Sequence, residues 1–224
     1  MRSRDLTIDF DLNDYAIQLD GVFVEPKVCK AVLLLCHGAG AGFRHATMQR
    51  LAEVFAEQGI ASLRFNSPFM QQQKRRVDNI EVAVAAIKAA ASVCRDLCKQ
   101  PSAPFYLAGH SFGGRMCSHA VAQGEVDCDG LVFCSFPLHV AKKPSTKRAE
   151  HLPAITKPML FLSGTRDDLA NRELLQDVVG GLADAKLHWL ETANHSYVVL
   201  KRSRTNPQDV FAEMAEAVAN FVGA

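Results

Sequence analysis

No stretch of this chain stays apolar long enough to cross a bilayer without meeting a charge or a turn-forming residue. The segment Met1 to Phe10 alternates charged and apolar side chains and lacks the apolar run of a secretion signal. The expectation is a cytoplasmic protein with no membrane as partner. An excess of one charge is missing too: 25 basic residues face 24 acidic ones, for a formal net charge of +1. So balanced a surface offers no field to attract nucleic acid, and small neutral or mixed-charge molecules are the expected partners. The 7 cysteines form no C-x-x-C pair, and their odd number and apolar surroundings read as reduced core residues. Cys94 and Cys98 share a helical face, but no further ligand follows at a zinc spacing, so no metal is expected. There is no internal repeat, no low-complexity tract and no linker rich in Gly, Ser or Pro. With 224 residues and 48% hydrophobic content, the expectation is a single domain over 1–224 with one sizeable core.

What is present is a regular alternation. Ala31 to Cys36 is a continuous apolar run, suited to a strand buried on both faces. Helical spacing follows at Met48, Leu51, Ala52 and Phe55 up to Gly59, then a short strand from Ile60 to Phe65. The pattern continues with a helix from about Val77 to Cys98, the punctuation of Pro101 and Pro104, and a strand from Phe105 to Ala108. Next come a helix from Phe112 to about Ala122 and strands at Leu131–Cys134 and Met159–Leu162. A helix at Asn171–Val179, a strand at Lys186–Leu190 and a last helix capped by Asn206 with Pro207 at its first position complete the series. Such alternation predicts a mostly parallel sheet with helices on both faces. Before it, Leu6–Phe10, Ala16–Leu19 and Val22–Val24, separated by Asn13-Asp14 and Asp20-Gly21, read as an antiparallel N-terminal edge over residues 1–25. The stretch 135–157, with Pro137, Pro144 and Pro153 and the basic residues Lys142, Lys143, Lys147 and Arg148, is long enough to serve as a minimal lid, its charges reading as solvated surface.

Gly109-His110-Ser111-Phe112-Gly113-Gly114 falls between a predicted strand and a predicted helix and matches G-x-S-x-G. The bare motif is short, and a serine that caps the following helix is compatible with the same residues. Its context carries more, because a serine held in a strained strand-to-helix turn needs small residues two before and two after it. A serine hydroxyl also needs a histidine to take its proton and a carboxylate to fix that histidine's tautomer. Ser163-Gly164-Thr165-Arg166-Asp167-Asp168 follows one predicted strand, and Glu191-Thr192-Ala193-Asn194-His195-Ser196 follows the last. In a parallel sheet both loops emerge on the edge that carries Ser111. His195 is the candidate base. Asp167 is preferred to Asp168 as the orienting acid because it comes first after the glycine turn. For negative charge developing on a carbonyl oxygen, the donors expected are the N–H groups of Ala39, in His37-Gly38-Ala39-Gly40, and of Phe112. A phosphate cradle is a poor reading of those glycines: there is no G-K-[ST], and Phe43 stands where G-x-G-x-x-G requires glycine.

These segments, together with Phe136-Pro137-Leu138-His139, resemble the α/β-hydrolase superfamily from about Ala31 to the C-terminus. Within it they are similar to the small, nearly lidless proteins of the dienelactone-hydrolase-like branch, a set of small predicted hydrolases. The order Ser, Asp, His is the one that fold uses. Dienelactone hydrolase itself has a cysteine nucleophile where this chain has Ser111. The resemblance implies acyl hydrolysis without a cofactor. The leading expectation is therefore a serine hydrolase of a small acyl ester or thioester, with Gly40, Arg64, Asn66, Phe69, Phe136 and His139 as candidate substrate-binding residues. The alternatives are hydrolysis of a short peptide or aminoacyl amide, or a non-catalytic binding protein of the same fold.

Overall fold

The computed structural model describes residues 1–12, 15–100 and 102–223; the expected turn at Asn13-Asp14 and the punctuation at Pro101 lie outside them. The short apolar runs form strands buried on both faces because alternate side chains enter different cores. In Ala31–Cys36, Val32, Leu34 and Cys36 face one core, while Ala31, Leu33 and Leu35 face the other. Phe105–His110, Gly130–Cys134 and Met159–Gly164 divide in the same way: Leu107, Phe133 and Phe161 go to the first core, and Ala108, Val132 and Leu160 to the second.

In chain order the strands are β1 (Arg2–Leu12), β2 (Tyr15–Glu25), β3 (Ala31–Cys36), β4 (Ile60–Phe65), β5 (Phe105–His110), β6 (Gly130–Cys134), β7 (Met159–Gly164) and β8 (Ala185–Leu190). They make one 8-stranded sheet in the order β1-β2-β4-β3-β5-β6-β7-β8. Pairing is parallel from β4 through β8, and antiparallel for β1 with β2 and for β2 with β4. Because β3 lies between β4 and β5, the order of the sheet reverses there. The crevice beyond the carboxyl ends of β3 and β5 is where such sheets place their sites.

The helices are α1 (Ala46–Glu57), α2 (Pro68–Gln71), α3 (Ile80–Leu97), α4 (Phe112–Ala122), α5 (Arg172–Gly180) and α6 (Val210–Val222). Helices α1 and α6 cover one face, and α3, α4 and α5 the other. Among the described residues no helix is long and apolar enough to cross a membrane. Five cysteines (Cys36, Cys94, Cys117, Cys128 and Cys134) are buried free thiols, and Cys29 and Cys98 are half-buried.

Several sequence expectations need correction. The N-terminal edge is two long strands, not three pieces, and Asp20-Gly21 lies inside β2, where Gly21 pairs with both Leu6 and Phe65. That glycine permits close packing of strands and makes no turn: a Cβ on it would stand 3.0 Å from the Arg64 carbonyl oxygen. Helix α6 starts at Val210, later than expected, because Asp209 Oδ1 accepts the N–H groups of Phe211 and Ala212, while Asn206 turns onto the N–H of Gln208. Helix α3 begins at Ile80, where the Asn79 side chain accepts from Val82 N. Helix α2 was not foreseen. The 135–157 stretch is held down by Arg148, whose guanidinium donates to the carbonyls of Pro137 and His139, and by the buried Leu152.

Candidate active site

Ser111 joins β5 to α4 with φ 51° and ψ −116°, a left-handed conformation unusual for a side-chain-bearing residue. The turn is held from both sides: Ser111 N–H donates to the Cys134 carbonyl at 3.0 Å, and Ser111 O accepts from Arg115 N at 3.1 Å. The glycines of the motif have a steric cause. A Cβ on Gly113 would lie 2.5 Å from the carbonyl oxygen of His37 and 2.6 Å from that of Cys36, so only glycine lets α4 close on the end of β3.

Two more loops arrive on the same edge. The loop after β7 is laced to the loop after β8: Thr165 N–H donates to the Leu190 carbonyl, Arg166 N–H to the Ala193 carbonyl, and Thr192 N–H to Thr165 Oγ1 at 2.8 Å. This lacing brings Asp167 beneath His195. His195 Nδ1 donates to Asp167 Oδ2 at 2.8 Å, and the Ser111 hydroxyl donates to His195 Nε2 at 2.8 Å. The second carboxylate oxygen, Oδ1, accepts from Leu169 N at 2.8 Å, so neither oxygen of this buried carboxylate lacks a donor. Asp168 is exposed. The arrangement fixes the histidine tautomer and leaves Nε2 as an acceptor for the serine proton.

Ala39 lines the same cavity as Ser111, and Phe112 follows the serine in the chain. Phe112 is the first residue of α4, and the N–H groups opening a helix have no intrahelical partner. Among the described residues Ala39 N–H also has no acceptor within the chain. The loop carrying Ala39 is pinned by the buried His37, whose Nδ1 donates to the Gly38 carbonyl at 2.7 Å and whose Nε2 accepts from Ser67 N at 2.9 Å. Burial lowers the pKa of His37 below its ordinary value, in keeping with that neutral tautomer.

The description "Alpha/beta hydrolase domain" matches residues 29–223. The chain belongs to the α/β-hydrolase family. Among solved structures, this family member is similar to XC6422 from Xanthomonas campestris, described as an α/β serine hydrolase without a lid (20% identity, TM-score 0.73, covering 99% of this chain and 94% of that one). It is also similar to dienelactone hydrolase from Anabaena variabilis (16% identity, TM-score 0.71, 98% and 97%). A third neighbour is the esterase domain of a Rhodothermus marinus protein (17% identity, TM-score 0.68, 99% and 98%).

A cavity of about 380 Å³ opens at Ser111 and His195. Larger hollows of about 580 Å³ lie near Lys30 and near Lys99, at the opposite ends of the strands, where no nucleophile and base meet; the smaller cavity is the one that matters chemically. Of the expected substrate-binding residues, only Gly40 lines it. Arg64 is buried, donates to the Phe43 carbonyl at 2.9 Å and has its pKa lowered to about 10 by burial. Asn66 accepts from Phe43 N and donates to Gln71. These two residues hold the chain behind the glycine loop and do not line the cavity. Phe69 is buried between His37 and Phe112, with ring centroids at 5.7 and 5.8 Å. Phe136 packs on Phe133 and Phe161 inside the core. His139 is buried with both ring nitrogens engaged, Nδ1 donating to the Val140 carbonyl and Nε2 accepting from Asn171 N. No residue of 135–157 lines the cavity. The walls overlooked in the sequence are Gly38, Ala41, His45, Thr47, Met48, His110, Leu169 and Ser196. The one usable signal for His45, Thr47 and Met48 was their place directly after the glycine loop.

Proposed function

We propose that this member of the α/β-hydrolase family cleaves a small, uncharged acyl ester or thioester through an acyl-Ser111 intermediate. The observation that carries the reading is the unbroken chain from Ser111 Oγ through His195 to buried Asp167, with both links at 2.8 Å. In the first half, Ser111 Oγ attacks the acyl carbonyl carbon while His195 Nε2 takes the hydroxyl proton. The carbonyl oxygen gains negative charge opposite the N–H groups of Ala39 and Phe112. The imidazolium returns its proton to the departing alkoxide or thiolate, leaving the acyl-enzyme. In the second half, His195 takes a proton from water, the hydroxide adds to the acyl carbon, and collapse releases the acid and restores Ser111.

The cavity supports the substrate class. None of its lining residues is Lys, Arg, Asp or Glu, and Ala39, Ala41, Met48 and Leu169 give it apolar walls. At about 380 Å³ it sits near the lower end of ligand pockets, roughly 300–1,000 Å³, which suits a short acyl group. A matched panel of neutral and carboxylate-bearing acyl esters, the corresponding thioesters and aminoacyl amides, assayed with wild type and Ser111→Ala, tests the proposal. Turnover of short neutral esters or thioesters by wild type alone supports it. Turnover confined to amides, or equal turnover by Ser111→Ala, contradicts it.

A further inference from the structure

The ring of His110 takes no part in the proposed reaction, yet it touches two of the loops that carry it. It precedes Ser111 in the chain. Its Nε2 donates to the backbone carbonyl of His195 at 3.1 Å, and its ring centroid lies 5.3 Å from that of His195 and 5.6 Å from that of the buried Tyr197. Its other edge abuts the glycine loop, so that a Cβ on Gly38 would fall 2.8 Å from His110 Nδ1. One imidazole is thus wedged between the base loop and the oxyanion loop.

The bond to the His195 carbonyl has no substitute. Around it, Asn194 Oδ1 accepts from Ser196 N and Val198 N, Asn194 N–H donates to the Val198 carbonyl, and Tyr197 N–H donates to the Asn194 carbonyl. Those bonds tie the residues on either side of His195 but leave its own carbonyl alone. Among the described residues, His110 is the only hydrogen-bond donor to that oxygen. The turn also contains two side-chain-bearing residues at positive φ, Thr192 at 58° and Tyr197 at 65°, conformations that persist only where surroundings over-determine them. Burial lowers the His110 pKa to about 4, which keeps the ring neutral, and a carbonyl acceptor requires its proton to sit on Nε2.

We propose that His110 is a positioning residue, whose Nε2–H holds the main chain of His195 so that the imidazole stays aligned on Ser111 Oγ. The proposal rests on the hydrolase reading above and goes beyond it. It distinguishes itself from plain packing by which atom matters. Glutamine places its amide nitrogen about where Nε2 lies, whereas asparagine places its nitrogen near Nδ1 and cannot reach the carbonyl.

The test compares wild type with His110→Leu, His110→Gln and His110→Asn on a short neutral ester, with far-ultraviolet circular dichroism as the check on folding. Leucine and asparagine are expected to lower kcat on the order of tenfold to a hundredfold, the scale of a small misalignment of reacting groups, with KM nearly unchanged, and glutamine to recover most of the loss. Equal kcat for the glutamine and asparagine variants, or a loss carried by KM, overturns the role. If the leucine variant does not fold, the ratio of glutamine to asparagine alone decides. An active wild type with that ratio near one defeats only the His110 role. A folded wild type that cleaves nothing defeats the hydrolase reading and this role with it.

Discussion

Asp167 and Asp168 adjoin in sequence and differ in situation. The first is buried with both oxygens occupied, by His195 Nδ1 and by Leu169 N; the second is exposed. Asp167→Asn is therefore expected to lower kcat by roughly 10⁴-fold, the scale known for a serine-protease triad, because an amide that donates to Nδ1 forces the proton onto Nε2 and removes the serine's acceptor. Asp168→Ala is expected to change kcat/KM by no more than about twofold, as for an ordinary surface substitution. Steady-state kinetics on one ester checks both, and the opposite ranking would transfer the orienting role to Asp168. The Ser111–His195–Asp167 constellation was legible in sequence because each member stands in the loop after a strand, and a parallel sheet sends all those ends to one edge. The pocket was not legible, because nearness to a strand end does not say where a side chain points. Ser135 follows β6 as Ser111 follows β5, both at positive φ, and the next residue, Phe136, packs its ring on Phe133 and Phe161 in the core.

At the scale of elements, the junction of β5 with α4 and the end of β3 leaves no room for a side chain at Gly113. Gly113→Ala would push a methyl group against two backbone carbonyls, atoms that cannot swing aside as a side-chain end does. The expected cost is about 1–3 kcal/mol, read as a fall in Tm of roughly 2–12 °C for a domain of this size. Gly180→Ala is the control in the opposite sense. It lies in the last turn of α5 at no positive φ, and a Cβ there meets nothing within 4 Å, so a gain of about 0.5–1 kcal/mol is expected from the loss of backbone freedom in the unfolded chain. Thermal melts of the two variants beside wild type check the pair; a stabilised Gly113→Ala would contradict the packing described. The strands themselves were readable because apolar residues at consecutive positions can be buried only by covering both faces. The hairpin edge was misread because Asp20-Gly21 has the composition of a turn, while Gly21 serves the close approach of β4, a contact between segments far apart in sequence.

At the scale of the molecule, four histidines, His37, His110, His119 and His151, share one electrostatic consequence, a pKa lowered first by burial. The value falls to about 4 for His110 and to about 4 for His151, the latter aided by nearby His119 and Arg115. In the unfolded chain these groups take up protons near the ordinary value of 6.5, while in the fold His110 and His151 do so only near 4. The unfolded state therefore binds more protons between those values. The stability they contribute is complete above about 6.5 and is lost as pH falls toward about 4. A series of melts across that window is expected to show Tm falling with pH, and less steeply in His151→Gln; a flat or rising Tm would contradict the burial of neutral imidazoles.

Covalent capture reports on Ser111 as a nucleophile activated by His195 without knowledge of the natural substrate. A fluorophosphonate should add one phosphonyl group to wild type, mapped to Ser111 by peptide mass spectrometry, and should leave Ser111→Ala and His195→Ala unmodified over the same time. A folded wild type that stays unmodified, or that carries the adduct on another residue, contradicts the account.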